Sequence, residues 1–133
     1  MGLMHVTVRV KATLTSKKAY EADFLVDTGS SHCLAPAREL RKIGIVPVGK
    51  TTYELAEGTP RELEFGVGVI EFMGDITGGR IIFGPDDVEP LLGAVVLESV
   101  GIVVDPKTQT LTRLPAIPLK PLHSLCSDGR HFR

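Results

Sequence analysis

A large excess of charge of one sign, a cysteine framework and a long apolar run are all missing from this sequence of 133 residues. Fifteen basic residues stand against sixteen acidic ones, which disfavours a nucleic-acid or acidic-membrane partner bound by bulk electrostatics. Two distant cysteines, Cys33 and Cys126, do not make a disulfide framework, and the longest apolar stretch, Leu91 to Leu97, is too short to span a bilayer. Arg9 and Lys11 interrupt the first apolar segment, unlike in a signal peptide. We therefore expect a soluble, cytoplasmic protein without nucleic-acid or membrane partners.

The composition is typical of an all-β domain, because 14 glycines and 9 prolines separate short apolar runs rich in Val, Ile and Thr. His5 to Leu14 alternates and predicts a half-buried strand. Tyr20 to Val26 predicts a second strand, whose continuous apolar end, Phe24 to Val26, indicates burial on both faces. Further strands are predicted at 51–56, 62–72, 79–83, 102–104 and 110–114, the last two joined by a turn at 105–108.

Two short helices are predicted, at Pro36 to Ile43 and at Ala94 to Val100. Each follows an apolar strand end and a glycine turn, and each is followed by Gly-Ile-Val, at 44–46 and at 101–103. This repetition predicts two similar halves around an internal pseudo-twofold axis. We expect one domain over residues 1–115, and a proline-containing, poorly ordered tail over residues 116–133.

Asp27 follows the buried strand end and begins the turn Thr28-Gly29-Ser30. A partly desolvated carboxylate costs free energy unless hydrogen bonds or a function hold it there. A plain Asx turn accounts for the same residue types. The longer string, Phe24-Leu25-Val26-Asp27-Thr28-Gly29-Ser30-Ser31 with Leu91-Leu92-Gly93 after it, resembles the retropepsin-like aspartic proteases, single-domain enzymes in which two identical chains each give one aspartate. The resemblance covers roughly residues 5–115.

The resemblance implies an all-β half-barrel that forms a homodimer and cleaves peptide bonds without a cofactor. Two Asp27 carboxyls would share one proton and activate a water between them, because two carboxyls this close cannot both ionise. Thr28 would brace the pair and Gly29 would let the backbone approach the substrate. The expected substrate is an extended peptide or protein with apolar residues at the scissile bond. The alternatives are a catalytically idle dimerisation or peptide-binding module of the same fold, and an unrelated small β-barrel in which Asp27 caps a turn.

The resemblance also implies a set of substrate-binding residues. Ser30 would bind a carboxylate oxygen, although a simple turn role explains it as well. A flap hairpin is expected at 55–60, and apolar side chains around the aspartate loop would form pockets, although each alone is typical of plain core. The residues so implied are Ser30, Leu25, Leu34, Ala56, Glu57, Gly58, Val88 and Leu91.

Two positions depart from the retroviral pattern. Ser31 and Ala94 replace an aspartate and an arginine that pair in those enzymes, and few residues precede the first strand, so we expect the hairpin at 102–114 to make the dimer contact. Cys33 is expected to be buried rather than to act as a nucleophile with His32, because adjacent residues of an extended segment point to opposite sides. The cluster of His123, Cys126 and His131 is a weak metal pattern, and no metal is predicted.

Overall fold

The computed structural model describes residues 4–55 and 57–119, which contain nine strands and two six-residue helices. No helix in these two ranges is long and apolar enough to cross a membrane. In chain order the elements are β1 (His5–Lys11), β2 (Tyr20–Val26), β3 (Cys33–Pro36), α1 (Ala37–Lys42), β4 (Gly49–Glu54), β5 (Pro60–Phe72), β6 (Asp75–Gly84), β7 (Leu91–Leu92), α2 (Ala94–Ser99), β8 (Ile102–Asp105) and β9 (Thr110–Arg113).

Seven strands form one sheet in the order β1-β2-β7-β3-β6-β5-β4. β1 also pairs with β5, with Val8 opposite Phe72, so six of these strands close into a ring and β4 extends it at the side. β8 and β9 form a separate two-stranded hairpin. The all-β prediction with two short helices is therefore confirmed.

The strand pairing has the internal pseudo-twofold symmetry that the sequence predicts. If β1 is exchanged with β5, β2 with β6 and β3 with β7, the parallel pair β2–β7 becomes the parallel pair β6–β3. The antiparallel pair β1–β2 becomes β5–β6, while the antiparallel pairs β1–β5 and β3–β7 map onto themselves. The two halves thus share one topology, in which the short strand of each half pairs with the long strand of the other.

Both helices end in the same way. Gly44 after α1 and Gly101 after α2 have φ of 90° and 71°, a backbone conformation that favours glycine. The isoleucine that follows each glycine, Ile45 or Ile102, is at most 2% exposed. The repeated Gly-Ile-Val therefore marks a reversal of the chain that returns an apolar side chain to the core.

Alternation along the strands separates the core face of the sheet from the opposite face. The residues that the seven-stranded sheet contributes to the hydrophobic core are Val8, Val10, Phe24, Cys33, Ala35, Ile70, Phe72, Ile81, Phe83 and Leu92. Leu25 lies on the opposite face, and it and Val26 are only half-buried in one chain, so the predicted burial of this strand end on both faces is wrong.

Other differences from the predicted elements have local causes. β1 ends at Lys11 because Thr13 and Ser16 form a turn, in which the Ser16 backbone N–H donates to the Thr13 carbonyl at 3.2 Å. β6 begins at Asp75 and runs through Gly78 and Gly79, which pair with residues of β5. β3 has only four residues, and the sequence pattern does not predict it.

We predict that Gly44→Ala lowers the free energy of unfolding by about 1–2 kcal/mol, because an L residue with left-handed backbone is strained. Gly78→Ala is the control, since its φ lies outside the left-handed region and a Cβ there would meet its nearest atom, the Gly68 carbonyl oxygen, at 3.7 Å. Urea unfolding at a fixed protein concentration measures both. Equal stability of Gly44→Ala and the wild type would contradict the conformational argument.

Candidate active site

Asp27 lies at the point where β2 leaves the sheet beside β7. The Asp27 backbone N–H donates to the Leu92 carbonyl at 3.1 Å, and the Leu25 N–H donates to the Pro90 carbonyl at 2.9 Å. These bonds continue the parallel pairing of Leu25 with Leu91 and of Val26 with Leu92. The position of the carboxylate is therefore set by backbone hydrogen bonds between the two halves of the fold.

The loop after β2 holds both oxygens of this carboxylate. The Gly29 backbone N–H donates to Asp27 Oδ1 at 3.0 Å, and the Ser30 hydroxyl donates to Oδ2 at 3.1 Å. The first bond makes an Asx turn, and a Cβ at Gly29 would come within 3.2 Å of Oδ1. Asp27 is half-buried, whereas Thr28 and Gly29 are exposed on the single chain.

Gly93 allows the start of α2 to pack against the back of this loop. A Cβ atom there would lie 2.6 Å from the carbonyl carbon and oxygen of His32, which is closer than real Cβ contacts come. The next two backbone N–H groups, of Ala94 and Val95, donate to the Ser30 and Ser31 carbonyls at 2.8 and 3.0 Å. Leu91-Leu92-Gly93 and the aspartate loop thus form one hydrogen-bonded unit.

A cleft of about 380 Å³ opens beside the carboxylate. Its walls are mostly apolar, with polar side chains at the loop and on β4. The residues that line it are Asp27, Gly29, Ser30, Ser31, His32, Leu34, Tyr53, Glu54, Leu55, Leu63, Ile82 and Leu91. Five residues singled out from the sequence, Asp27, Gly29, Ser30, Leu34 and Leu91, therefore meet at this cleft.

The remaining residues singled out from the sequence lie elsewhere. Leu25 is opposite Leu91 in the register but does not line the cleft, and Val88 lies beside Leu34, where a Cβ at Gly84 would meet side-chain atoms of both. Thr28 borders a separate depression formed with α2 and β8. Glu57 and Gly58 are exposed in the turn between β4 and β5, and Ala56 lies outside the described residues.

Known proteins resemble this chain in fold rather than in sequence. No protein-family model and no curated protein matches the chain. Among solved structures, the retroviral protease-like domain of Ddi1 from Leishmania major superposes with a TM-score of 0.50 and 16% identity, over 90% of this chain and 97% of that one. The chain has a retropepsin-like fold. A retropepsin-like aspartic protease from Rickettsia conorii also matches, with a TM-score of 0.47 and 20% identity over 83% of this chain and 88% of that one.

In this retropepsin-like fold, the cleft also contains residues that the sequence did not single out as substrate contacts. His32, Tyr53, Leu63 and Ile82 come together because Leu63 faces Thr51, two residues from Tyr53, and because Ile82 faces Leu34 across the β3–β6 pair. Alternation on β4 and β5 could have suggested which of their side chains share a face. The register between the strands, which brings those faces to the aspartate loop, has no signal in the local sequence.

His32 and Tyr53 are in contact within the cleft. The Tyr53 hydroxyl lies 3.3 Å from His32 Nδ1, and the rings meet edge to face with centroids 5.9 Å apart. Burial lowers the pKa of His32, and the nearby positive charge of Arg80 lowers it further. The Arg80 guanidinium is itself held 3.8 Å above the Phe65 ring and donates to the Thr51 hydroxyl at 3.3 Å.

The described residues contain no group of three or more His, Cys, Asp or Glu side chains arranged to hold a metal ion. The sequence cluster of His123, Cys126 and His131 lies outside the described residues. Cys33 is fully buried, as expected, and burial raises the pKa of its thiol to about 11. A buried thiol that stays protonated at neutral pH does not serve as a nucleophile.

We predict that Cys33 does not react with Ellman's reagent in the native protein, because its raised pKa leaves roughly one thiol in a thousand ionised near pH 8. A Cys126→Ser background leaves Cys33 as the one thiol to follow. Addition of urea should release the full signal of one thiol per chain. Fast labelling of the native protein at pH 8 would contradict this prediction and would reopen a cysteine-based mechanism.

Proposed function

We propose that the chain is one half of an aspartic endopeptidase, completed by the Asp27 carboxyl of a second identical chain. The observation that carries the proposal is the Asp27 carboxylate, bound by the Gly29 N–H and the Ser30 hydroxyl at the edge of a largely apolar cleft. The retropepsin-like fold supports the same chemistry, because the Leishmania domain that superposes on this chain is described as retroviral protease-like.

Peptide hydrolysis without a covalent intermediate explains the need for two carboxyls. One ionised carboxyl takes a proton from water while the water oxygen attacks the carbonyl carbon, and the protonated partner gives its proton to the carbonyl oxygen. The tetrahedral intermediate then collapses and its C–N bond breaks. The first carboxyl gives the leaving nitrogen the proton it took from water, and a hydroxyl of the intermediate returns a proton to the second carboxyl. The products are a carboxylic acid and an amine. Two carboxyls about 3 Å apart keep one shared proton, as in the aspartic proteases that serve as the standard example of this pattern.

The exposure of the aspartate loop favours a second copy as the missing half. Thr28 and Gly29 are exposed, and Thr28 borders an apolar depression lined by α2 and β8, including Ala94 and Leu97. Val103, which also lines it, is 39% exposed. We propose that this surface, together with the β8–β9 hairpin, makes the dimer contact and that Thr28 braces the paired loops there.

The cleft suits an extended peptide with apolar side chains near the cleaved bond. Leu34, Leu55, Leu63, Ile82 and Leu91 contribute apolar surface, and the β4–β5 hairpin stands over it. The hairpin has a tight tip, in which the Leu55 N–H donates to the Thr59 carbonyl at 3.0 Å and Gly58 has a φ of 85°. We propose that this tip, which includes Glu57 and Gly58, acts as a flap that closes over bound substrate and excludes water.

We predict that Asp27→Asn abolishes cleavage of casein that pepstatin inhibits in the wild type, because an amide cannot take the proton of the attacking water. Asp87→Asn, which changes an exposed aspartate outside the cleft, is the matched control and should keep wild-type activity. Assays from pH 4 to 7 cover the acid and near-neutral range. Pepstatin-sensitive cleavage that survives in Asp27→Asn would rule out this carboxylate as the base.

Mixing the two chains tests whether both carboxyls are needed. If subunits exchange, a tenfold excess of the Asp27→Asn chain should lower the activity of a fixed amount of wild-type chain about tenfold, because most wild-type subunits then sit beside an amide. Unchanged activity after exchange would contradict the shared site. Pepstatin binding without any cleavage would favour the idle peptide-binding module instead.

A further inference from the structure

Near its tip, the β4–β5 hairpin is joined to the aspartate loop by one pair of side chains. β4 is the last strand of the seven-stranded order and is paired there with β5 alone. Within residues 4–55 and 57–119, the hydrogen bond between the Tyr53 hydroxyl and His32 Nδ1 is the one side-chain bond that joins β4 to the loop after β2. The edge-to-face contact of the two rings adds to this connection.

This connection immediately precedes the part of the hairpin that faces the carboxylate. Glu54 and Leu55, the next two residues after Tyr53, line a cavity of about 500 Å³ with Asp27, Gly29 and Ser30 on the other side. The width of that space depends on how closely Tyr53 is held to the loop. Without this bond, the end of β4 at the sheet edge could change its distance from the aspartate loop, and the width of the cavity would vary.

We propose that Tyr53 and His32 are positioning residues, in which the Tyr53 hydroxyl donates to a neutral His32 ring and so fixes the height of the hairpin over the aspartate. The effect of the pair on catalysis rests on the proposed function, whereas the contact itself does not. We therefore expect the Tyr53–His32 pair to affect substrate affinity rather than the chemical step.

The charges around His32 define the pH dependence of the contact. Arg80 on β6 is positive and lies close enough to lower the pKa of His32, while Arg61 on β5 is opposite Tyr53 in the register. Asp27 from the loop and Glu54 on β4 share the cleft and are negative when ionised. Burial and Arg80 outweigh the two carboxylates, so the ring is neutral near pH 7 and can accept the Tyr53 proton.

Acidification should therefore weaken the contact. A protonated Nδ1 is a donor and can no longer accept from the Tyr53 hydroxyl, and the new positive charge is repelled by Arg80. Because the pKa of His32 is lowered in the folded chain, the neutral ring survives below the ordinary histidine range, and the contact is lost as the pH falls further. Because the pKa of His32 is lower in the folded chain than in the unfolded chain, the unfolded chain binds this proton first. The free energy of unfolding therefore falls as the pH drops below about 6.5.

The first test uses no enzyme activity. Titration of the His32 ring protons by NMR, assigned by their loss in His32→Gln, should give a pKa below the ordinary histidine value of about 6.5. Tyr53→Phe should raise the pKa of His32, because the donor that favours the neutral ring is gone. Tyr20→Phe, the same change at the other tyrosine, should leave it unchanged. An unaltered or lowered pKa of His32 in Tyr53→Phe would overturn the proposed donation.

The second test separates positioning from chemistry. Tyr53→Phe and His32→Leu should raise KM about five- to tenfold at pH 7 with little change in kcat, as expected for one lost hydrogen bond. His32→Gln keeps a neutral acceptor, so its KM at pH 7 should stay near that of the wild type. It should also lack the rise in KM at low pH that protonation of His32 causes in the wild type. A fall in kcat with unchanged KM would contradict the positioning role.

The two tests distinguish failure of the proposed function from failure of the positioning role. If the wild type cleaves no peptide, the proposed function fails while the NMR titration still decides whether the Tyr53–His32 contact exists as described. If cleavage occurs and Tyr53→Phe matches the wild type in KM, kcat and pH profile, the proposed function stands and the positioning role is wrong. Should Tyr53→Phe not fold, the comparison of His32→Gln with His32→Leu carries the same decision.

Discussion

The backbone hydrogen bond from Asp27 to the Leu92 carbonyl is the interaction on which the candidate site depends. It joins the long strand of one half of the fold to the short strand of the other, and it fixes the carboxylate at the end of both. The backbone at Gly93 also packs directly against the His32 carbonyl, with no room for a Cβ, and this contact supports the loop on its other side. These constraints act on the backbone, so they position the loop without using its side chains.

The two faces of the sheet have different surroundings. Residues such as Phe24 and Cys33 on the core face are completely buried and hold the closed ring of strands together. On the opposite face, Leu34 and Leu91 border an open cleft instead of a core. A single chain therefore has a complete hydrophobic core, while the face that carries the cleft stays open to solvent. This accounts for a loop that is ordered by hydrogen bonds yet exposed at Thr28 and Gly29.

Much of the fold was predictable because its signals are local. Alternating apolar residues indicated β1, and apolar runs bounded by turn residues indicated β2 and β5. The repeated Gly-Ile-Val after each helix indicated the internal twofold, and the structure shows that Gly44 and Gly101 both have the left-handed backbone that favours glycine. β3 was missed because four residues are too few for a pattern. The full apolar end of β2 suggested burial on both faces, but burial of Leu25 on its second face is not provided within one chain.

The site was only partly predictable, since it combines local and non-local features. The Asp27 turn and the later Leu-Leu-Gly are contiguous motifs and could be recognised by resemblance. Tyr53 and His32 meet through the pairing of β4 with β5 and β5 with β6, a register that no short stretch of sequence encodes. A crystal structure of the assembled protein with a bound peptide inhibitor would measure the separation of the two Asp27 carboxyls, on which the proposed shared active centre depends. We expect oxygen atoms of the two groups to lie about 3 Å apart, whereas carboxyls held far apart in a stable assembly, or a strictly monomeric complex, would contradict the shared centre.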